Sequence, residues 1–431
     1  MKLRNLAGLA IAALLTLGMG TALAQTNPPP QVTKINPGDL FQDIVNGSAQ
    51  ANNQYASATT LAGFGISQAT KLNVLVGGDA GTNLFQRGTA GASQTTTIAY
   101  GGPDRWAYWS GASTAMTVSR DTTAADLPSQ AYQAAFKMAR TSGQTGVIPL
   151  CMTQEVETQN SIMFQGSTAE LDFYATAGAN FSAANGALTA YIVTGTGTDE
   201  GVSKLAFAFN AGGGGSSTWA GQANTVADVA TITTQPTRFA AVGVIPTTAT
   251  EIAVIFCYTP VGTAGTNDYV ALSGIQLSRN AALTSVAAAT TATDCSTINC
   301  SSYDRRSIGA ETDLQQRYTY SINEAAITAG SIAAGGGTAL GTTTTCSLNI
   351  PFPVTMRIAP TYTNALTAST FKVVSASQAA TILATPFSAT LGANSVNSAS
   401  INITTTGMTA KDSCELVSAA GTGQMLWSAE L

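Results

Sequence analysis

The chain has 431 residues, of which 45% are hydrophobic and only 10% charged, with a formal net charge of −5. It contains no histidine, which excludes Ser-His-Asp and Cys-His catalysis, histidine-ligated metal and a neutral-pH imidazole base. It also lacks the basic cluster that phosphate neutralisation needs, so nucleic acid is not an expected partner.

Residues 1–24 read as a secretory signal peptide. Lys2 and Arg4 open it, an apolar stretch runs from Leu6 to Leu17, and Ala22-Leu23-Ala24 fits a cleavage site. The apolar run is short for a membrane span and nothing later qualifies, so no stable span is expected once the segment is removed. Residues 25–76 read as an extended attachment segment that starts at Asn27-Pro28-Pro29-Pro30.

Residues 77–292 read as a jelly-roll-like β-sandwich. Period-two alternation is the signal of half-buried strands. Leu171, Phe173 and Ala175 alternate with Glu170, Asp172 and Tyr174, and Leu188, Ala190 and Ile192 with Thr189 and Tyr191. Phe136 and Met138 flank Lys137. Ile252 to Tyr258 is apolar on both faces, as a central strand would be. Many short strands punctuated by Gly and Asn suit a sandwich or jelly roll. Residues 293–316 read as linker and short helix. The preceding Ala/Thr/Ser-rich stretch from Thr284 already has linker character, and the helix spans Ile308 to Gln316, with Glu311 near its start and Arg317 at its end. Residues 317–431 read as a second, smaller β-sandwich: Cys346, Leu348, Ile350 and Phe352 alternate, as do Ile401 and Ile403. Pro351, Pro353 and Pro360 mark edges or strand ends. The fold class is therefore all-β.

Six cysteines after an export signal permit disulfides. Cys295 and Cys300 flank a short polar loop, and Cys346 and Cys414 sit in strand-like segments of one region, so these four are the disulfide candidates. Cys151 and Cys257 lie in apolar runs and read as buried thiols. No C-x-x-C occurs, and no metal site is expected.

An ordered series of short motifs runs through the chain: Asn83-Leu84-Phe85-Gln86-Arg87-Gly88, Pro103-Asp104-Arg105-Trp106, Gly274-Ile275-Gln276-Leu277, Tyr303-Asp304-Arg305-Arg306, Gln316-Arg317-Tyr318 and Phe352-Pro353-Val354-Thr355-Met356-Arg357-Ile358-Ala359-Pro360-Thr361. In order and spacing the series resembles bacteriophage virion proteins of the tail-fibre and head-fibre type, with a carbohydrate-binding-module-like β-sandwich. The resemblance implies a virion structural protein (tail fibre, head fibre or capsid decoration) that adheres to a host-surface glycan. It implies a homotrimer beside other virion proteins, no cofactor and no catalysis. A trimer would also cover exposed strand edges. The alternative is a secreted, extracellular bacterial carbohydrate-binding or adhesive surface protein, which the signal-like segment favours.

Trp106 is expected in the core, where an indole buries a large apolar area. A sugar-stacking platform would instead draw on Tyr108 and Trp109, which alternation places on opposite faces. Trp219 follows the glycine run 212–215 and is a further ligand-binding candidate, since loops carry binding. That run lacks the G-x-G-x-x-G spacing and implies no nucleotide. Glu155 and Glu157 read as two carboxylates on one strand face, the pairing a glycoside hydrolase would use. Asp199 and Glu200 could take calcium only with four or more further oxygens. No residue is assigned a catalytic role.

Overall fold

In the computed structural model the described residues are 40–42, 55–57, 72–81, 86–87, 98–110, 116–129, 132–205, 219–323, 332–339, 345–362, 371–375, 382–383, 388–404, 410–418 and 424–431. The signal-like segment, the prolines at 28–30 and the glycines at 212–215 lie outside them, as do 83–85 and 88 of the first motif. The chain divides into two compact units, Met1–Ala69 and Thr70–Leu431. In the first, β1 (Leu40–Gln42) pairs antiparallel with β2 (Tyr55–Ser57).

The second unit begins with a β-sandwich. Its strands are β3 (Ala99–Tyr100), β4 (Ala107–Ser110), β5 (Met116–Asp121), β6 (Ala135–Arg140), β7 (Leu150–Val156), β8 (Thr168–Ala177), β9 (Ala187–Gly195), β10 (Ala223–Thr231), β11 (Thr237–Val244), β12 (Glu251–Tyr258), β13 (Tyr269–Arg279) and β14 (Thr293–Asp294). They form two six-stranded sheets, in orders β10-β9-β12-β7-β4-β3 and β14-β11-β8-β13-β6-β5. Pairing is nested: β6 with β13, β7 with β12, β8 with β11 and β9 with β10, all antiparallel. A long hairpin rolled up in this way is a jelly roll. The remaining strands lie along its edges and reduce the backbone left open to pairing.

The alternation places the core. Leu171, Phe173 and Ala175 of β8 face Leu188, Ala190 and Ile192 of β9, with Phe136 and Met138 beside them. Trp106 is fully buried, its ring 5.3 Å from Phe136 and 6.5 Å from Phe256. Leu75 lies in this core and the Val74 amide donates to Leu277 O (3.1 Å), so the sandwich takes in residues the sequence left to the attachment segment. The central strand β12 turns Val254 and Phe256 inward and Ala253, Ile255 and Cys257 to the opposite face.

The stretch read as a linker packs along the second sheet. Asn280 caps a 3-10 turn at Ala281–Val286, Leu283 packs on Ala240 and Val242, and β14 extends the edge of β11. Helix α1 (Ile308–Gln316) follows where expected, with the Ser307 hydroxyl accepting from the Ala310 amide at 3.4 Å.

The C-terminal sandwich contains β15 (Thr319–Asn323), β16 (Ile332–Ala339), β17 (Thr345–Pro351), β18 (Thr361–Tyr362), β19 (Phe371–Ser375), β20 (Ile382–Leu383), β21 (Ser388–Asn394), β22 (Ser398–Thr404), β23 (Ser413–Ser418) and β24 (Gln424–Ser428). A seven-stranded sheet of order β20-β19-β23-β16-β17-β22-β21 accompanies a three-stranded sheet β15-β24-β18. Its core joins Cys346, Leu348, Ile350, Ile401 and Ile403 to Trp427.

All six cysteines are paired. Cys295–Cys300 and Cys346–Cys414 join the expected candidates. Cys151 and Cys257 are a correction: they form a disulfide rather than two buried thiols. The register explains it, because the two residues stand directly opposite on β7 and β12.

Candidate functional site

Four of the six sequence motifs, those holding Gln86–Arg87, Asp104–Arg105, Arg317–Tyr318 and Arg357, converge on the junction between the two sandwiches. Its centre is Arg105, buried, in the left-handed backbone region with φ 66°. A non-glycine residue is held there only when its surroundings over-determine it. Here the Arg105 amide donates to Glu430 Oε1 (3.0 Å), Nη1 to Glu430 Oε2 (2.7 Å) and Nη2 to Glu155 O (2.5 Å). The guanidinium also lies 3.7 Å from the centre of the Tyr318 ring. Glu430 belongs to the tail after β24, so this one arginine holds the end of the chain against the jelly roll.

The other motifs complete the network. Arg87 pairs with Asp104 at 3.2 Å and approaches Glu430 at 3.5 Å. Gln86 donates to Thr319 O (2.7 Å) and its side-chain oxygen accepts from the Ser321 amide (3.2 Å). Arg317 pairs with Glu157 at 3.0 Å. Arg357 donates to Ala429 O and Glu430 O, both at 2.9 Å. Burial pushes Glu430 up, but Arg105 and Arg87 outweigh it and hold the carboxyl below its usual range. At Asp104 burial wins over Arg87 and the Gln86 amide and pushes the carboxyl up to about 7.

The Gly274-Ile275-Gln276-Leu277 motif is a bulge in β13, where the register with β8 shifts between Ser273 and Gln276. Gly274 has φ 57°, and a Cβ there would lie 2.8 Å from the Tyr132 ring. The bulge frees the Ile275 amide to donate to Gly78 O (2.9 Å). Gln276 then donates to Asp172 Oδ2 (2.7 Å) and accepts from the Asp304 amide (2.8 Å), tying the segment before α1 to the sheet. Burial, partly offset by Arg238, pushes Asp172 up to about 8.

A cleft of about 210 Å³ opens beside α1, lined by Asp79, Gln133, Arg305, Ile308, Glu311 and Gln315 among others. Arg306 pairs with Glu311 at 2.9 Å and donates to Leu75 O at 2.8 Å, so it belongs to the scaffold. Arg305 differs. It is exposed, stands 5.1 Å over the Tyr132 ring and 6.0 Å over Tyr303, and has no carboxylate partner among the described residues. Burial pushes the Tyr132 hydroxyl up to about 12. Ile308 is 73% exposed.

The ligand-binding candidates read from the sequence sit elsewhere. Tyr108 is 0%, Trp109 3% and Trp219 4% exposed. Tyr108 faces the sandwich core, while Trp109 and Trp219 pack with the Cys151–Cys257 bridge and Ile255 on the outer face of the first sheet. The Trp219 indole donates to Glu200 O at 2.9 Å. The alternation of Tyr108 and Trp109 is therefore as expected, and none of the three rings offers a face to solvent.

Glu155 and Glu157 do not share a strand face, a correction, because β7 ends at Val156 and Glu157 precedes a helical turn at Thr158–Ser161. Glu155 is buried and Glu157 is held by Arg317. Asp199 exchanges hydrogen bonds with Thr158, and Glu200 accepts from the Ala220 amide (2.6 Å) and pairs with Lys204. Among the described residues no group of three or more acidic or cysteine side chains could hold a metal, and no helix is long and apolar enough to cross a membrane. Sequence reasoning missed Asp79, Gln133 and Gln315. Only Asp79, set between glycines in Gly78-Asp79-Ala80-Gly81, carried a loop signal.

Fold and site together define a jelly-roll β-sandwich protein with a smaller sandwich locked to it. No family model and no curated protein matches the chain. Among solved structures it is similar to the enzymatically active domain of tailspike protein 4 of bacteriophage CBA120 (12% identity, TM-score 0.27), covering 48% of this chain and 21% of that one. It is also similar to a CBM4 structure (14%, TM-score 0.22, covering 34% of this chain and 72% of that one). A third is a putative sugar binding protein from Bacteroides thetaiotaomicron (11%, TM-score 0.28, covering 48% and 100%). Likeness this loose says nothing of ligand or assembly.

Proposed function

We propose that the chain is a phage-type virion structural protein, a tail fibre, head fibre or capsid decoration, that adheres to a host-surface glycan. The observation that carries this reading is the convergence of four of the six virion-like motifs on one buried junction. Gln86, Arg87, Arg105, Arg317 and Tyr318 make contacts that cross between the two sandwiches, while Asp104 and Arg357 hold Arg87 and the chain end in place for them. Two bodies locked together by buried ion pairs suit a particle-borne adhesin. On this reading the protein is a homotrimer in contact with other virion proteins and has no catalytic role.

One observation favours the second reading, a secreted adhesive or carbohydrate-binding surface protein. All six cysteines pair, and disulfides persist in oxidising compartments. Non-reduced peptide mass spectrometry on gradient-purified particles separates the two. Stoichiometric recovery is expected of a virion component. Absence from particles, with recovery from the culture supernatant in a form beginning at Gln25, would establish the secreted protein instead. An oligosaccharide turnover assay on the parent protein is expected to give no products.

A further inference from the structure

We propose that the cleft beside α1 binds a single sugar ring of neutral, hydroxyl-rich type, an assignment that rests on the adhesion reading above. The first support is Gln315. It is 1% exposed, lines the cleft, and its side-chain carbonyl Oε1 has no hydrogen-bond partner among the described residues. A buried acceptor left unpaired is costly, and a ligand hydroxyl reached by a small shift of the Gln315 side chain supplies the missing donor.

The second support is the set of groups around that carbonyl. Arg305 brings unpaired guanidinium donors, already oriented by the Tyr132 and Tyr303 rings. Asp79 and the Gln133 amide bring further acceptors and donors on the same wall. Neighbouring hydroxyls on a pyranose each donate and accept, so a guanidinium beside a carboxylate and two amides matches them. The exposed Ile308 offers an apolar wall to the C–H face of such a ring. At about 210 Å³ the cleft is smaller than the ~300–1,000 Å³ pockets that take drug-sized ligands, which limits it to one ring.

Charge selects the neutral class. Arg306 and Glu311 neutralise one another. What remains is Arg305 against Asp79, one of each sign. A uronate would gain Arg305 and meet Asp79. An amino sugar would gain Asp79 and meet Arg305. A neutral ring uses both charges as hydrogen-bonding groups at no electrostatic cost.

The test is saturation-transfer NMR on the full chain with methyl hexopyranosides of gluco, galacto and manno configuration, beside glucuronate and glucosamine. The assignment expects one neutral glycoside to bind. Arg305→Ala and Gln133→Ala should each weaken it at least tenfold with unchanged thermal unfolding, since both residues are exposed. Gln315→Leu should abolish binding without destabilising the protein. Undiminished binding in Arg305→Ala and Gln133→Ala would move the sugar site elsewhere and leave the adhesion reading standing. Binding of glucuronate or glucosamine alone would overturn the neutral class. No binding of any probe, together with a blank glycan array, would overturn both the site and the adhesion reading.

Discussion

The two sandwiches of the Thr70–Leu431 unit reach stability by different routes. The jelly roll relies on its core: Trp106, Phe136, Phe173 and Phe256 interlock between two six-stranded sheets, with Phe173 and Phe256 4.8 Å apart edge-on. The C-terminal sandwich packs Tyr320, Phe352 and Tyr362 around Trp427 at 5.5–5.9 Å. Its long sheet, however, runs through β16, whose Gly335-Gly336-Gly337 run contributes no side chains. Glycine inside a strand weakens it. The Cys346–Cys414 bridge joins β17 and β23, the strands on either side of β16. A cross-link is common to both bodies, since Cys151–Cys257 joins β7 and β12 of the jelly roll. What sets the small sandwich apart is its glycine centre and the partner it leans on.

The strongest way to break this comparison is Arg105→Met. It takes the nearer cation from the buried Glu430 carboxylate, leaving Arg87 at 3.5 Å, and removes the stacking on Tyr318. Removing one member of a buried ion pair costs about 3–5 kcal/mol. The expected outcome is a loss of that size in urea unfolding, and two transitions in place of one as the sandwiches uncouple. Adding Glu430→Gln should recover part of the loss. A single transition at the parent's midpoint would mean that Arg105 does not join the two bodies.

The disulfides sharpen the comparison next. Loop closure scales with the length enclosed, so the Cys346–Cys414 bridge, spanning 68 residues, should be worth about 4 kcal/mol. The Cys295–Cys300 bridge, spanning 5, should be worth about 2 kcal/mol. Replacing each pair by serine should therefore lower thermal stability unequally. The loss in Cys346→Ser/Cys414→Ser should appear as proteolysis of the C-terminal sandwich while the jelly roll survives. Equal losses in both variants would mean that the length of the enclosed loop does not set the worth of either bridge.

Much of the architecture was legible because period two is a local signal. β8, β9, β17 and β22 show their inward faces in the sequence, and the apolar run at Ile252–Tyr258 announced a central strand. Helix α1 appeared at its expected limits because Glu311 and Arg317 mark its ends, and the Ser307 cap adds to them in the structure. The pairing order of the jelly roll was not legible, since β6 and β13 meet across most of the sandwich sequence. Cys151 and Cys257 looked like core thiols because only the β7–β12 register brings them face to face. The cleft was hidden for the same reason: Asp79, Gln133 and Gln315 are distant in sequence and each is unremarkable alone. Aromatic residues misled in the opposite direction. Trp109 and Trp219 have the chemistry of a sugar platform, but their area is spent covering an apolar outer face.

The smallest expected effect concerns the edge of the jelly roll. Asp228 lies between Val226 and Ala230, both of which face the core, and accepts from the Val242 amide at 3.0 Å. That amide lies beyond the end of β14, which pairs only with Phe239 and Ala240. A buried donor must find an acceptor, and Asp228 supplies it. Burial pushes the carboxyl up to about 6, with the amide only partly offsetting this. The folded pKa thus exceeds the unfolded value of about 3.9. Its contribution to stability is full below about pH 4 and is lost as pH rises through about 6. Asp228→Asn keeps an acceptor and cannot ionise. It should match the parent near pH 4 and exceed it at pH 7.5 by on the order of 2 kcal/mol. Asp104 and Asp172, raised to about 7 and about 8, tilt the curve the same way at higher pH and will leave a residual slope. An unchanged slope in Asp228→Asn between pH 4 and 6 would take Asp228 out of that account and leave the burial of the other acids to explain it.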